Sequence, residues 1–240
     1  MSSIVAQEIE NFSKDSAHWW DENGPFKPLH ALNPVRLSYI KAQICAHYDR
    51  DTQSLKPFEK LSMIDVGCGG GLVCEPLSRL GAKVTGADAD ANAIAVASAH
   101  AKAVGLKIDY HAKPAEEIKK QFDVVLALEI IEHVAEPAEF VKSVAKLCKP
   151  GGLIIFSTLN RTPQSFALGI VAAEYILRWV PAGTHSWKKF IRPSELSRMA
   201  RGADLKPTNV SGLVFNPIKN EFALSERDMS VNYLLSCTKP

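Results

Sequence analysis

Apolar and polar positions change their spacing regularly along the chain from Leu61 onward. Short runs rich in apolar and β-branched residues alternate with stretches whose apolar positions recur at helical spacing. Such alternation is typical of βαβ units, and it predicts an α/β fold, doubly wound around a mostly parallel seven-stranded sheet. The predicted strands cover roughly residues 61–66, 83–87, 107–111, 122–127, 153–158, 205–212 and 230–238.

The helix boundaries follow from residues that start or stop helices. Asp90 is predicted to cap a helix over Ala91 to Ala103, because a short acceptor side chain can bind the first free backbone N–H groups. Pro137 is predicted to open the next helix, and the Lys149 to Gly152 turn to stop it.

The 240 residues predict one domain, since a single domain commonly spans about 100 to 250 residues. Two regions depart from the βαβ alternation: an N-terminal helical cap, residues 1–60, and an inserted helical segment, residues 160–192. We expect both regions to shape the substrate site.

Charge and cysteine content narrow the functional classes. A formal net charge of +2 gives no broad electrostatic reason to expect a nucleic-acid partner. The five cysteines are scattered without a CxxC pair, which favours neither a disulfide framework nor a thiolate zinc site. The first residues do not resemble a secretory signal, and Glu174 and Arg178 interrupt the longest apolar stretch. We therefore expect a cytoplasmic protein that does not cross a membrane.

A glycine-rich loop follows the first predicted strand. Met63 to Val66 has a buried-strand pattern and continues into Gly67-Cys68-Gly69-Gly70-Gly71, followed by a helical stretch over Leu72 to Leu80. Glycines let the backbone approach a ligand closely, and free N–H groups at a helix start favour a negative group, so a nucleotide-like ligand is implied. The pattern is GxGxG, because Leu72 stands where a dinucleotide site would need its third glycine.

An acidic residue follows the loop at the expected distance. Asp88 ends the second predicted strand, where a carboxylate can accept hydrogen bonds from both hydroxyls of a ribose. The alternative is that the glycines only make a turn and Asp88 only caps a helix. Asp65 either orders the loop by accepting backbone N–H bonds or is solvated at a strand end, and Cys68 is expected to be a small turn residue.

Together, GxGxG and the following acid resemble the class I methyltransferases, which bind S-adenosylmethionine. Four further strings closely resemble the ubiquinone-biosynthesis O-methyltransferases: WWDENGPFKPLHALNPVRLSYI from Trp19, ALEIIEHV from Ala127, the stretch from Ser157 to Leu196, and GLVFNPI from Gly212. This resemblance implies methylation of phenolic hydroxyls on polyprenylated catechol or quinol intermediates, twice in the pathway. It also raises the prospect of a quinone-biosynthesis complex.

The resemblance places cofactor contacts on Arg36, Gly67, Asp88 and Leu128. Position 128 is commonly methionine in the family, and leucine is an apolar exchange that the adenine pocket should tolerate. From the sequence alone, Arg36 could equally be a solvated or salt-bridged side chain. The family match favours a role at the methionine carboxylate, to which a guanidinium is well suited.

Acid–base chemistry is predicted at Glu129, Glu132 and His133, after the fourth strand. A catechol hydroxyl has a pKa near 10, so a base or a divalent cation must favour the phenolate. If this run is helical, the three side chains share one face and could bind Mg²⁺, as the resemblance also suggests, with Glu132 or His133 as the base. The alternative is that Glu132 and His133 only cap or solvate a short helix. His30 and His185 are further base candidates.

The inserted segment also carries a membrane hypothesis. Between Pro163 and Pro181, an apolar helical stripe is accompanied by Tyr175, Arg178 and Trp179, which suit a water–lipid boundary. Lys188, Lys189 and Arg192 follow and could contact anionic head groups on the inner membrane. The alternative is an internal lid packed over the substrate.

Three other functions compete with this interpretation. One is a methyltransferase acting on a soluble phenol or carboxylate, which lipid-tail dependence would separate. Another is an NAD-dependent dehydrogenase, which shares the sheet and the ribose acid but needs the glycine that Leu72 replaces. The third is a non-catalytic cofactor-binding module, which would bind the cofactor and turn over no catechol.

Overall fold

The computed structural model describes Ser13 and residues 15–167, 186–216, 219 and 221–240. Its centre is one eight-stranded sheet with the order β3-β2-β1-β4-β5-β8-β6-β7. The strands are β1 (Ser62–Val66), β2 (Lys83–Asp88), β3 (Asp109–Ala112), β4 (Phe122–Leu128), β5 (Cys148–Leu159), β6 (Lys206–Asn216), β7 (Glu221–Ser225) and β8 (Asn232–Thr238).

Helices connect the strands at the predicted places. Asp90 caps its helix by accepting a hydrogen bond from the backbone N–H of Asn92, and Pro137 opens the next helix, so both boundary predictions are confirmed. The α-helices are α1 (Lys27–His47), α2 (Cys74–Arg79), α3 (Ala91–Ala103), α4 (Pro137–Leu147), α5 (Pro163–Ser165) and α6 (Pro193–Gly202). Short 3-10 helices cover Ser16–His18, Ala115–Glu117, Ile131–His133 and Trp187–Lys189.

The sheet confirms the doubly wound α/β prediction but has one more strand than predicted. Strands β1 to β5 pair in parallel, whereas β8 is antiparallel to both β5 and β6. The additional strand is β7, which pairs antiparallel with β6 at the sheet edge. None of its five residues is buried, as expected of a strand at the edge of the sheet.

The Lys149 to Gly152 turn proves to be part of a strand. Helix α4 ends at Leu147 as predicted, but β5 begins immediately afterwards at Cys148. The pairing of β4 with β5 jumps from Phe122 opposite Cys148 to Val124 opposite Leu153, and Gly151 has a φ of 76°. These residues therefore form an irregular strand start, which a turn-forming sequence alone does not distinguish from a loop.

Core side chains cover both faces of the central strands, as expected for a doubly wound sheet. Alternate residues of β1, β4 and β5 contribute to two separate clusters, one beneath helices α4 and α6 and the other beneath α1. The first cluster includes Ile64, Val125, Ile154, Leu196 and Ala200, and the second includes Met63, Val124, Ile155, Ile40 and Ile44. The buried strands thereby fix the positions of their carboxyl ends.

The described part of the N-terminal cap, residues 1–60, contains helix α1 and the short 3-10 helix Ser16–His18, with turns between and after them. It consists mainly of α1, which tolerates Pro34 within its length. The Asn33 side chain donates a hydrogen bond to the backbone carbonyl of Leu72, at a distance of 2.8 Å. This contact fastens the cap to the segment that follows the glycine loop.

The described residues give the inserted segment only its two ends. These are α5 on one side and the 3-10 helix at Trp187–Lys189 on the other, and residues 168–185 lie outside the described part. The predictions for Tyr175, Arg178 and Trp179 fall on those residues. Among the helices that are described, none combines the length and apolar character needed to cross a membrane.

Candidate cofactor and acid–base site

The glycine loop makes a tight turn after β1. Gly67, Gly69 and Gly71 have φ values of 75°, 49° and 87°, a region that residues with a β-carbon rarely adopt. The backbone N–H groups of Gly67 and Cys68 both donate to the carbonyl of Ala87 on β2. This arrangement confirms the predicted strand, turn and helix, and leaves the loop backbone at the carboxyl ends of the strands.

Asp88 lies beside this loop and is bound to it. Its Oδ2 accepts a hydrogen bond from the Gly69 N–H at 2.8 Å, and its Oδ1 accepts one from the Asp90 N–H at 2.9 Å. Burial raises the pKa of Asp88, although these two hydrogen bonds oppose the rise. Each carboxylate oxygen can accept a second bond, so the side chain orders the loop and still has acceptor capacity.

The surroundings of Cys68 and His30 favour structural roles for both residues. The Cys68 thiol is buried, and burial raises its pKa well above the ordinary value, which disfavours the thiolate. The His30 Nε2 lies 2.9 Å from the backbone carbonyl of Trp19, which it can bind as a donor. His185, the other lone histidine considered as a base, is outside the described residues.

Arg36 and Asp65 form a buried pair of opposite charge. They are 4% and 3% exposed, so neither is the solvated residue that the sequence allowed as an alternative. The Nη2 of Arg36 donates to the Asn33 Oδ1, whereas its buried Nε has no hydrogen-bond partner. Burial lowers the pKa of Arg36, and the negative charges of Glu129 and Asp65 oppose that change.

Asp65 does not order the glycine loop in the way that was considered. Its Oδ2 accepts only a weak bond from the Cys74 thiol at 3.7 Å, and its buried Oδ1 has no partner. Burial raises the pKa of Asp65 to about 7, while Arg36 works in the opposite direction. An unpaired buried carboxyl oxygen is costly, so this position is suited to an additional hydrogen-bond donor.

Leu128 and Glu129 mark the carboxyl end of β4. Leu128 is 6% exposed, as expected for an apolar wall. Glu129 follows with a φ of 51°; its Oε1 accepts from the Ser157 hydroxyl at 2.7 Å and its Oε2 from the Asn232 side chain at 3.3 Å. Burial raises the pKa of Glu129, and the Ser157 bond, Arg36 and His133 oppose the rise.

The run from Glu129 to His133 is not one helix, so the condition for a shared helical face at those positions is not met. Only Ile131–His133 is helical, and it is a 3-10 turn. Glu132 is nevertheless buried at 3% exposure; its Oε2 accepts from the Thr158 hydroxyl at 2.8 Å, and its Oε1 has no partner. Burial and the neighbouring Glu129 charge raise the pKa of Glu132, and His133 opposes them. The solvated alternative for Glu132 is therefore excluded.

No group of three or more histidine, cysteine, aspartate or glutamate side chains is arranged to hold a metal ion within the described ranges. Glu129 and His133 both act electrostatically on the Glu132 carboxyl, and His133 also acts on Glu129. The metal role of these residues stays a prediction.

Sequence reasoning missed several residues that complete the site. Ser157 and Thr158 lie near the carboxyl end of β5 and donate hydrogen bonds to the two glutamates, and Asn232 reaches Glu129 from β8. The rule that ligands bind at the carboxyl ends of parallel strands could have pointed to the two hydroxyl residues. No sequence signal indicates Asn232, because β8 runs in the opposite direction.

Comparison with known proteins identifies the family. A family model described as a methyltransferase domain matches residues 37–210. The ubiquinone biosynthesis O-methyltransferase of Dinoroseobacter shibae is 48% identical, with 99% of this chain and 97% of the relative covered. The enzyme of the same name from Cereibacter sphaeroides is 50% identical, with coverage of 100% and 98%. This chain belongs to the ubiquinone biosynthesis O-methyltransferase family.

Solved structures confirm the fold of this methyltransferase. Magnesium protoporphyrin IX methyltransferase from Synechocystis PCC 6803, with bound SAM, aligns over 100% of both chains with a TM-score of 0.67 and 14% identity. A methyltransferase from Thermotoga maritima, described as a possible histamine N-methyltransferase, aligns over 98% and 99% with a TM-score of 0.65 and 17% identity. Family membership decides against the dehydrogenase interpretation.

The buried Asp65 carboxyl predicts a pH-dependent stability. Below about pH 4 it carries a proton in both folded and unfolded states. As the pH rises to about 7, the unfolded chain releases the proton while the folded protein retains it, so folding becomes less favourable. We expect Asp65→Asn to gain about 2 to 4 kcal/mol relative to the parent between pH 5 and 8. Urea denaturation across this range measures the gain, and parallel curves for the two proteins would contradict it.

Proposed function

We propose that this enzyme transfers a methyl group from S-adenosylmethionine to phenolic hydroxyls of polyprenylated catechol or quinol intermediates in ubiquinone biosynthesis. The family supports the reaction class. The observation that carries the proposal is a set of three buried polar atoms without hydrogen-bond partners, on α1, on β1 and just after β4: Arg36 Nε, Asp65 Oδ1 and Glu132 Oε1. Buried polar groups are normally paired, so a ligand with both donors and acceptors would complete them.

The charged groups of S-adenosylmethionine match the unpaired atoms of Arg36 on α1 and Asp65 on β1. The Arg36 guanidinium is suited to the methionine carboxylate and the Asp65 carboxylate to its ammonium group. Asp88 has remaining acceptor capacity for the ribose hydroxyls, the Gly67 turn lets the donor approach the backbone, and Leu128 offers an apolar wall to the adenine. These roles agree with those that the family resemblance implies for Arg36, Gly67, Asp88 and Leu128.

The reaction needs alignment and removal of one proton. The phenolic oxygen forms a bond to the methyl carbon while the bond from carbon to sulfur breaks, leaving S-adenosylhomocysteine and one proton. Glu132 and His133 lie together at the carboxyl end of β4 and are the groups proposed to take that proton. The raised pKa of Glu132 brings this carboxyl closer to the range useful for a base at neutral pH.

Mg²⁺ is the second proposed cofactor of the same cluster. The described side chains are not arranged around a metal position, but carboxylate oxygens are the ligands that Mg²⁺ prefers, and Glu129 and Glu132 are buried carboxyls of which Glu132 has one unpaired oxygen. Glu129, Glu132 and His133 would hold the ion. Such an ion would favour the phenolate form of the substrate.

Donor binding tests the cofactor part of the proposal. We expect Gly69→Ala and Asp88→Ala each to weaken S-adenosylhomocysteine binding by about tenfold or more, since one strains the turn and the other removes an acceptor. Gly202→Ala is the matched control, because its β-carbon would enter open space in helix α6. Calorimetry measures the affinities, and NAD is the control ligand that we expect not to bind. Unchanged affinity in both site variants would contradict the proposal.

Metal dependence is tested by turnover and by direct binding. We expect a chelator to reduce methylation of a short-tail prenylated catechol by about tenfold or more, because the phenolate then loses its cation. We expect Glu132→Gln to lose Mn²⁺ binding and to retain S-adenosylhomocysteine binding. Electron paramagnetic resonance measures the bound Mn²⁺. Glu139→Gln, an exposed glutamate paired with Lys142, is the control. Full turnover in the presence of the chelator would contradict the metal role and leave the cluster with the role of a base. Equal turnover of a soluble catechol and the prenylated catechol would favour the alternative that the substrate is a soluble phenol.

Peripheral contact with the inner membrane is proposed for the inserted segment. Its described ends support this, since Phe166 is 48% exposed and packs edge-on against Trp187 with ring centroids 6.4 Å apart. Lys188 and Lys189 follow directly in the chain and could meet anionic head groups. Such a contact would bring the enzyme to a lipid-soluble substrate and to any pathway partners there.

Liposome flotation tests the membrane contact. We expect replacement of Phe166, Ile170 and Trp179 by glutamine to lower the fraction that floats with anionic vesicles severalfold, because the apolar contact area is lost. Leu55→Gln is the control, since Leu55 is 89% exposed but lies outside the segment. Equal floating fractions for the triple variant and the parent would contradict the membrane contact and favour the alternative, an internal lid packed over the substrate.

A further inference from the structure

Two neighbouring tryptophans pack on the glycine loop but differ in their hydrogen bonding. The Trp20 Nε1 donates to the backbone carbonyl of Gly70 at 3.0 Å, and its ring stacks on His100 with centroids 3.6 Å apart. The Trp19 Nε1 is buried and has no partner. Trp20 therefore holds the loop, whereas the N–H group of Trp19 is available.

The position of Trp19 over the loop is well defined. Its ring stacks on Phe26 with centroids 3.8 Å apart, and its carbonyl accepts from His30. β-carbons placed at Gly69 or Gly70 would overlap this ring. The atom next to Nε1, Cε2, would lie 3.0 Å from a β-carbon at Gly69, so the unpaired N–H lies close to the loop itself.

A second buried N–H group without a partner lies on the same N-terminal cap. It is the Nε of Arg36, and Asn33 on the same helix is bonded to the Leu72 carbonyl just after the loop. Both unpaired donors are thus carried by elements that pack against the residues of the glycine loop. A carboxylate has enough lone pairs to accept from both of them.

We infer that Trp19 is a cofactor-binding residue whose Nε1 donates a hydrogen bond to the carboxylate of the methyl donor, together with Arg36. The inference rests on the proposed function, since it adds one residue to that donor site. The indole ring also covers the loop at Gly69 and Gly70. Two N–H donors from different side chains would favour one orientation of the carboxylate.

Two ligands and two substitutions separate this role from a structural one. S-adenosylhomocysteine carries the carboxylate, and 5′-methylthioadenosine keeps the adenosine but lacks it. We expect Trp19→Phe, which keeps an aromatic wall and loses the donor, to weaken S-adenosylhomocysteine binding about 10- to 100-fold and to leave methylthioadenosine binding unchanged. In Trp20→Phe, the ratio of the two affinities should equal that of the parent, because the lost N–H served a loop carbonyl.

A measurement on the parent protein covers the case in which Trp19→Phe does not fold. With ¹⁵N-labelled tryptophan, the indole N–H resonance of Trp19 should shift on S-adenosylhomocysteine binding and stay in place with methylthioadenosine. Equal effects of Trp19→Phe on both ligands, or an unmoved Trp19 resonance, would overturn the inference. If the parent itself bound no S-adenosylhomocysteine, the proposed function would fail instead, so the two failures are distinguishable.

Discussion

The left-handed turn of the glycine loop is the constraint on which the site depends. Three glycines with positive φ let the chain leave β1, bind Ala87 and Asp88 on β2, and pass beneath the two tryptophans of the cap. A side chain at Gly67 would crowd Ile130, close to the glutamates of the acid–base cluster. One backbone turn therefore joins the cofactor side of the site to its catalytic side.

Burial gives the site its electrostatic character. Arg36, Asp65, Glu129 and Glu132 lie in a low-dielectric interior, where their charges act on one another more strongly than at a surface. Folding leaves several of their atoms without partners, which costs stability in the free protein. Such uncompensated groups are characteristic of sites whose partner is a ligand.

The N-terminal cap contributes as much to this environment as the sheet does. Helix α1 brings Arg36 to the charges of β1 and β4, and the preceding residues bring Trp19 and Trp20 to the loop. Ser16 also donates to Asp90, the cap of α3, so the N-terminal residues are fastened to the start of that helix as well. The cap is therefore part of the site as well as its cover.

The sequence by itself determined the doubly wound fold, the helix starts at Asp90 and Pro137, and the glycine turn, because each follows from local periodicity or backbone preference. It also gave the family, through strings that local chemistry does not require. Only the tertiary structure decided that Arg36 and Asp65 are buried, that Glu129 lies outside the helical turn, and that Trp19 covers the loop. These features depend on contacts between residues distant in the chain, and neither propensity nor spacing encodes such contacts.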